Sequence, residues 1–496
     1  MKHKLSPRRR FFCALVLTLF SASLQLPIAH AAALTQQRAA APAPQQSRAV
    51  AAAPAQQTPL VSRTLANGLE VIVLEDHSIP LINLELAVKN GSYTEPPELN
   101  GLSHLYEHMF FKANRAVLEG AEYIKVFDQL GILWNASTRE EIVNYYFHTT
   151  SPNLRVTMNF MRDAVRYPLF DERQFEQERQ AVLAEMDRHE AEPGHYLNEE
   201  MTDRLFYKYP SRKKPGGNRA TVKAATTDTM RLIQKRYYVP NNSALIVTGD
   251  AEPETIFKLA QEFLGDWPRA EDPFVKYPIV EHPPLPKSEG VLVKQPINNI
   301  ILEIGWHGPS IGKDNPATYA ADVFSFILLQ PDSRFKRALV DTGLVTGVDF
   351  NYYTQRNVGP IRIFAQTTPE KAKAALKAIY AEVARFNDPD YFTDEQLENA
   401  KGLLEAQDLY EREKLSDYTH TIGFWWSSTG LEYFRGYLQN LRRTSRADIN
   451  RYVSTYIQGQ PHVGLALLSE ATQQQAQLTP QDLTGETTGG AASSKQ

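Results

Sequence analysis

His104, Glu107 and His108 lie three and four residues apart in the string HLYEH. On an α-helix, positions i, i+3 and i+4 project to one side, so two imidazoles and a carboxylate converge. That set suits a divalent metal with a general base beside it. Leu102, Leu105, Tyr106 and Met109 recur at spacings of 3 and 4 on a separate stripe. The periodicity predicts a helix anchored in a core, with its His/Glu face turned into a cleft. The competing explanation is a solvated polar face whose histidines bind nothing.

H-x-x-E-H is the inverse of H-E-x-x-H, the pattern of the inverzincins. Two histidines do not complete a catalytic zinc site, which takes three protein ligands and keeps one position open. A long helix is expected to begin at Asp171, where Asp171 and Gln174 resemble a capping box, and to close at Pro193-Gly194. It offers Glu176, Glu178, Glu185, Asp187, Glu190 and Glu192. Spacing alone does not choose among them. A His₂Glu set favours zinc over manganese or cobalt.

The elements that must position these groups are also legible. Strands are expected at Leu69–Leu74 after the Asn67-Gly68 turn, at Leu81–Val88, at Leu133–Thr138, at Ile142–Thr149 and at Ser243–Thr248. Helices are expected at Ala121–Leu130 and Thr227–Tyr238. The segment from Ile233, IQKRYYVPNNSALIVTGD, is echoed from Ile449 by INRYVSTYIQGQPHVGLALLSE, roughly 220 residues later. Both read as a helix rich in aromatics, a polar turn and an apolar strand. The fold class is therefore α+β, with two related domains, each a largely antiparallel sheet with helices packed on it.

Residues 1–31 read as an export signal. Lys2, Lys4, Arg8, Arg9 and Arg10 precede an apolar run from Phe11, and Ala29-His30-Ala31 offers a cleavage site. Arg8-Arg9-Arg10 also allows the twin-arginine route. Residues 32–58 form an Ala/Pro/Gln-rich linker. The first domain covers 59–272, a Pro-rich connector 273–288, the second domain 289–470 and a polar disordered tail 471–496. Cys13, the only cysteine, falls in the leader, which excludes disulfides and thiolate chemistry from the mature chain. The whole chain carries −4, and losing the five basic residues of the leader makes the remainder more acidic. That balance points away from nucleic acid, and no membrane anchor is expected once the leader is removed. A Gram-negative periplasm is the expected destination.

Four segments carry a resemblance: GLSHLYEHMFFK, GILWNASTREEIVNYYF, FEQERQAVLAEMDRH and RYYVPNNSALIVTGD. Together they resemble the M16 metallopeptidases, the family of pitrilysin, insulin-degrading enzyme and mitochondrial processing peptidase, across roughly residues 60–470. The resemblance implies one zinc per chain held by His104, His108 and Glu185, the last 77 residues after His108. It implies Glu107 as the general base for a zinc-held water, and Glu178 as a supporting acid that orients a ligand imidazole. It also makes Asn135, Ala136, Ser137 and Thr138 part of an edge strand that takes up extended peptide or unfolded-protein substrate through main-chain hydrogen bonds. Each such chain forms half of a clamshell.

In one respect the chain departs from that family. An Arg and a Tyr seven residues apart grip substrate from the second half of family members. Here the corresponding stretch, SRFKRALVDTGLVTGV from Ser333, puts Leu339 and Thr346 at those positions. Arg334 and Arg337 do not restore the pair, because Asp341 and Leu344 stand seven residues on. A heterodimer with a second M16-like subunit carrying the pair is the expected assembly. The alternative is a non-catalytic M16-fold binding or assembly subunit. His77, His148, His189, His195, His307, His420 and His462 are expected to be structural or exposed. Phe424-Trp425-Trp426 is either a partner-facing patch or a core cluster.

Overall fold

Runs of β-branched and aromatic residues bounded by turn residues build two sheets. The computed structural model describes residues 60–485. The expected leader with Cys13, the linker at 32–58 and the end of the tail lie outside the described residues.

Strands β1 (Val61–Thr64), β2 (Glu70–Glu75), β3 (Leu81–Val88), β4 (Leu133–Thr138), β5 (Val143–Thr150) and β6 (Ser243–Gly249) form one sheet in the order β1-β2-β6-β3-β5-β4. Strands β7 (Glu289–Lys294), β8 (Ile300–His307), β9 (Gly347–Tyr352), β10 (Pro360–Thr367) and β11 (Val463–Leu468) form the other in the order β7-β11-β8-β10-β9. Each sheet has one parallel pair, β2 with β6 and β7 with β11, and its other pairs are antiparallel. With β1 set aside, strand order and pairing sense are the same in both. The repeat at Ile233 and Ile449 falls on equivalent units: helix Thr227–Tyr237 leads to β6, and helix Arg446–Tyr456 leads to β11.

The first half carries helices α1 (Leu102–Met109), α2 (Gly120–Leu130), α3 (Leu154–Arg166), α4 (Glu172–Glu190) and α5 (Pro193–Leu205). Alternate residues of the strands face opposite sides. Val71, Val73, Leu84, Leu86 and Phe147 pack under α1 and α3 in one core, while Ile72, Leu74, Ala87 and Ile246 line the reverse face. That reverse face is covered by Tyr418, Ile422 and Trp426, from helix Leu415–Ser428 in the second half. In return, Leu197, Met201 and Leu205 of α5 pack on Val463, Leu465 and Leu467 of β11. The halves thus exchange helices. Each fully buried aliphatic side chain in these contacts contributes about 1.5–3 kcal/mol, which ties the halves into a single body.

Three expectations need correction. Pro193-Gly194 does not simply end a helix, since Pro193 sits in the first turn of α5. Proline lacks the N–H that a helix start leaves unpaired, so the same residue ends one helix and opens the next. The capping box at Asp171 is half formed. Asp171 accepts from Gln174 N, but the Gln174 side chain turns to Ala113 N and Leu118 O. Residues 471–485 of the expected tail are folded. Helix Glu470–Ala476 follows a Ser469 cap, and Leu478 and Leu483 are buried in the second core. Two isolated leucines in a polar stretch have no periodicity to announce them. The Pro-rich connector is also packed, with Leu285 buried beside α5.

Candidate active site

Helix α1 is short, and its N-terminus is held from outside. Gly101 takes φ +95°, and a Cβ there would lie 2.8 Å from the Gly217 Cα, so only glycine fits this entry. The unpaired N–H groups of the first turn are met by Glu95. Gly101 N donates to Glu95 Oε2 at 2.7 Å and Ser103 N to Glu95 Oε1 at 2.6 Å. Burial pushes the Glu95 carboxyl up to about 7, against the pull of those donors. Leu102, Leu105, Tyr106 and Met109 are buried, while His104, Glu107 and His108 form the opposite, half-buried face. The spacing of the motif predicts this division.

Helix α4 lies across that face. Glu185 Oε2 is 3.5 Å from His104 Nε2 and 3.5 Å from His108 Nε2. The three ligand atoms lie within 4.8 Å of one another, and no other such group of His, Cys, Asp and Glu occurs among the described residues. Two imidazole nitrogens and one carboxylate oxygen converging on one point fit a tetrahedral zinc with a position to spare. The carboxylates around the rings favour positive charge at this point. Burial opposes charge on His108, but the Glu178 and Glu185 carboxylates outweigh it and raise its pKa to about 10. His104 is lowered to about 4 by burial and by the neighbouring His108. A divalent cation would sit among the two Nε2 atoms and the Glu185 oxygen, with Glu178 on the far side of the His108 ring, so the donor set fits the group.

The other acids of α4 have separate partners. Glu178 Oε2 lies 3.1 Å from His108 Nδ1, and its Oε1 lies 2.7 Å from Lys112 Nζ. Burial alone would raise its pKa, yet His108 and Lys112 hold it below the ordinary glutamate value. Glu176 pairs with Arg179, while Asp187 and Glu190 pair with Arg219. Glu192 precedes α5 as its N-cap residue. Among the described residues His104 has no counterpart to Glu178, since its buried Nδ1 has no hydrogen-bond partner there.

Glu107 faces β4. Thr138 Oγ1 donates to Glu107 Oε2 at 2.7 Å, and burial pushes the Glu107 carboxyl up to about 7. The edge-strand segment behaves differently from a row of substrate-contacting side chains. Ala136 and Thr138 are buried, the Ser137 hydroxyl donates to Asn144 Oδ1, and Asn135 Oδ1 accepts from Ala136 N. Among the described residues β4 pairs with β5 on one side only, so the main chain of its other edge is what remains open there. No motif in the sequence marks Glu95, Lys112 or the Thr138 hydroxyl for these contacts. Lys112, at i+4 from His108, has the one local signal.

In the second half, Leu339 is fully buried, and Thr346 is exposed with its hydroxyl on Gln366 O. Arg334 is paired with Glu382. Of the remaining histidines, His77, His148, His307 and His420 are hydrogen-bonded to Asp250 and Glu75, Asn83, Leu205 O and Glu85. Trp426 is buried under Lys89, Trp425 stacks on Tyr433, and Phe424 on Tyr353. Trp426 belongs to the interior packing, while Phe424 and Trp425 stay partly exposed.

Residues 70–214 match the family model described as Insulinase (Peptidase family M16), and residues 224–404 that described as Peptidase M16 inactive domain. Zinc protease PqqE of Helicobacter pylori is 23% identical over 404 residues, covering 80% of this chain and 89% of that protein. The uncharacterized zinc protease YmxG of Bacillus subtilis is 22% identical over 345 residues, covering 69% and 82%. Among solved structures, a protease from Helicobacter pylori superposes with a TM-score of 0.73 at 22% identity, covering 83% of this chain and 99% of that one. The first half of the periplasmic protease PqqL from Escherichia coli gives 0.67 at 17% identity, covering 86% and 95%.

Proposed function

This chain belongs to the M16 metallopeptidase family, and from that premise we propose that it is a zinc-dependent endopeptidase acting on extended peptides or unfolded polypeptides. The observation that carries this reading is the approach of Glu185 to both imidazoles of α1, with Glu107 on the same helical face. His104, His108 and Glu185 would hold one zinc. When bound, the metal supplies a Lewis acid that polarises a peptide carbonyl and makes water a stronger nucleophile at neutral pH.

The remaining chemistry belongs to the chain's own residues. Glu107 takes the proton of the attacking water and returns it to the leaving amine. Its burial, which pushes the carboxyl up, suits a group that must hold that proton between the two steps. Thr138 holds Glu107 Oε2, leaving the other oxygen for the water. Glu178 fixes the His108 ring through Nδ1. The open main chain of β4 pairs with an extended substrate, which favours unfolded chains over particular sequences.

A second M16-type subunit would close the chamber and supply the Arg and Tyr whose places are taken here by Leu339 and Thr346. The fit of this chain to a first half alone supports that assembly. The composition of residues 1–31 supports export to the periplasm.

The test is metal content and peptide cleavage of the purified chain, with and without co-purified partners. One zinc per chain and cleavage of an unstructured peptide are expected. Glu107→Gln should retain the zinc and lose at least about 100-fold in kcat. A Glu107→Gln protein with near-normal kcat would remove Glu107 from the mechanism, and a chain without zinc would leave the non-catalytic reading.

A further inference from the structure

Past the end of α1, the chain turns through Phe110, Phe111 and Lys112 into Ala113, and this turn is tightly held. Phe110 and Phe111 are buried, with Phe110 stacked on Tyr145 at 3.7 Å. Lys112 N donates to Met109 O, and Leu169 N donates to Ala113 O. A Cβ on Gly120 would stand 2.8 Å from Phe111 O and 3.2 Å from the Lys112 Cα. The backbone under Lys112 therefore has little freedom, and its ammonium is delivered to a defined place.

What it meets there is α4. Gln174 and Glu178 are one turn apart on that helix, and both grip the turn. Gln174 Oε1 accepts from Ala113 N at 3.1 Å, and Glu178 Oε1 lies 2.7 Å from Lys112 Nζ. Glu185, two turns beyond Glu178 on the same face, is the residue that approaches the imidazoles. The second oxygen of Glu178 takes His108 Nδ1. One carboxylate thus joins the lysine to a metal-site ring, and the turn after α1 is held to α4 at two successive turns of that helix. The pair is largely buried, with side-chain exposures of 26% for Lys112 and 17% for Glu178, so it is not an ordinary solvated surface pair.

We propose that Lys112 is a positioning residue of the metal site: by holding Glu178 it fixes the His108 ring and sets the register that brings Glu185 to both imidazoles. The proposal rests on the zinc reading given above. Lys112 is not among the residues that would hold the metal, and its ammonium is paired with Glu178. It also occupies the Glu178 oxygen that would otherwise be free to turn toward the ligands and compete with Glu185.

The experiment is zinc affinity of the full chain, measured by competition with a chelating dye, for wild type, Lys112→Met, Lys112→Arg, Glu178→Ala and the Lys112→Met/Glu178→Ala double variant. Lys112→Met should weaken zinc binding about 10- to 100-fold, the range seen when such outer partners are removed. Lys112→Arg, which keeps the cation, should restore most of the loss. The double variant should bind no more weakly than Glu178→Ala alone, because the lysine acts through that carboxylate. Melting of the metal-free proteins controls for folding, and Lys112→Gln replaces Lys112→Met if the latter melts early. An affinity of Lys112→Met or Lys112→Gln within about twofold of wild type overturns the proposal, as do losses that multiply in the double variant. Failure of the wild type itself to bind zinc would instead overturn the functional reading beneath it.

Discussion

Thr138 and Glu107 are 31 residues apart in sequence, yet the threonine hydroxyl donates to the glutamate carboxylate at 2.7 Å. The strand that would receive substrate and the group that would move the proton are thereby one hydrogen-bonded unit. Thr138 pairs with Val143 in the sheet, so the position of the carboxylate is set by the sheet as well as by the rotamer of Glu107.

Replacing Thr138 with Val keeps the β-branched shape and deletes the donor. Zinc content and KM for an unstructured peptide should be little changed, while kcat falls about 10- to 100-fold through misorientation of the base. Steady-state kinetics alongside metal analysis checks this. An unchanged kcat would show that the hydroxyl does not orient Glu107.

Removing the metal should cost stability as well as activity, because only the folded chain brings His104, His108 and Glu185 together. Free zinc at 100 times its Kd stabilises a folded protein by about 2.7 kcal/mol. A chelator should therefore lower Tm, and added zinc should restore it. His104→Ala should melt at the same temperature with or without zinc, and a zinc-dependent rise in that variant would count against the ligand set.

Glu95 carries a pH prediction. Its carboxyl stands at about 7 in the folded chain against an ordinary 4.5, so the folded state binds the proton more tightly than the unfolded one. The contribution is fully present below about 4.5 and is lost as pH rises through about 7. Glu95→Gln has no proton to lose. Relative to wild type, its stability should improve steadily from pH 5 to pH 8, whatever it loses at pH 5 through the altered cap of α1. Urea unfolding across that range reads the effect, and a constant difference would contradict it.

The exchanged helices predict a long-range penalty. Ile422 lies on a second-half helix, yet it is fully buried against the first sheet. Ile422→Ala should destabilise the protein by about 2–5 kcal/mol. Hydrogen exchange should show the loss in β2, β3 and β6 as well as in the helix itself. Loss of protection confined to residues 415–428 would mean that the halves unfold independently.

The local pattern was sufficient for some of this. The 3 and 4 spacing of His104, Glu107 and His108 put them on one face of α1 and the leucines on another, because helical geometry depends on neighbours alone. The apolar runs of β2 and β3 beside the Asn67-Gly68 turn and the helix-to-strand repeat at Ile233 and Ile449 are equally local. Spacing on α4 and just beyond it leaves six acids open as the third ligand, and resemblance singles out Glu185.

What only the tertiary structure decided involves residues far apart in the chain. The approach of Glu185 to the imidazoles depends on the docking of α4 at Gln174 and Glu178. Thr138 serves the base because two elements meet, and nothing in NAST announces it. Helix exchange reassigned α5 and the helix Leu415–Ser428 to each other's sheets, since apolar periodicity shows that a face is buried but not what buries it. The same limit applied to Leu478 and Leu483, which a polar sequence context disguised as a tail. Sequence specifies which side of an element seeks a partner; the packed chain alone selects that partner.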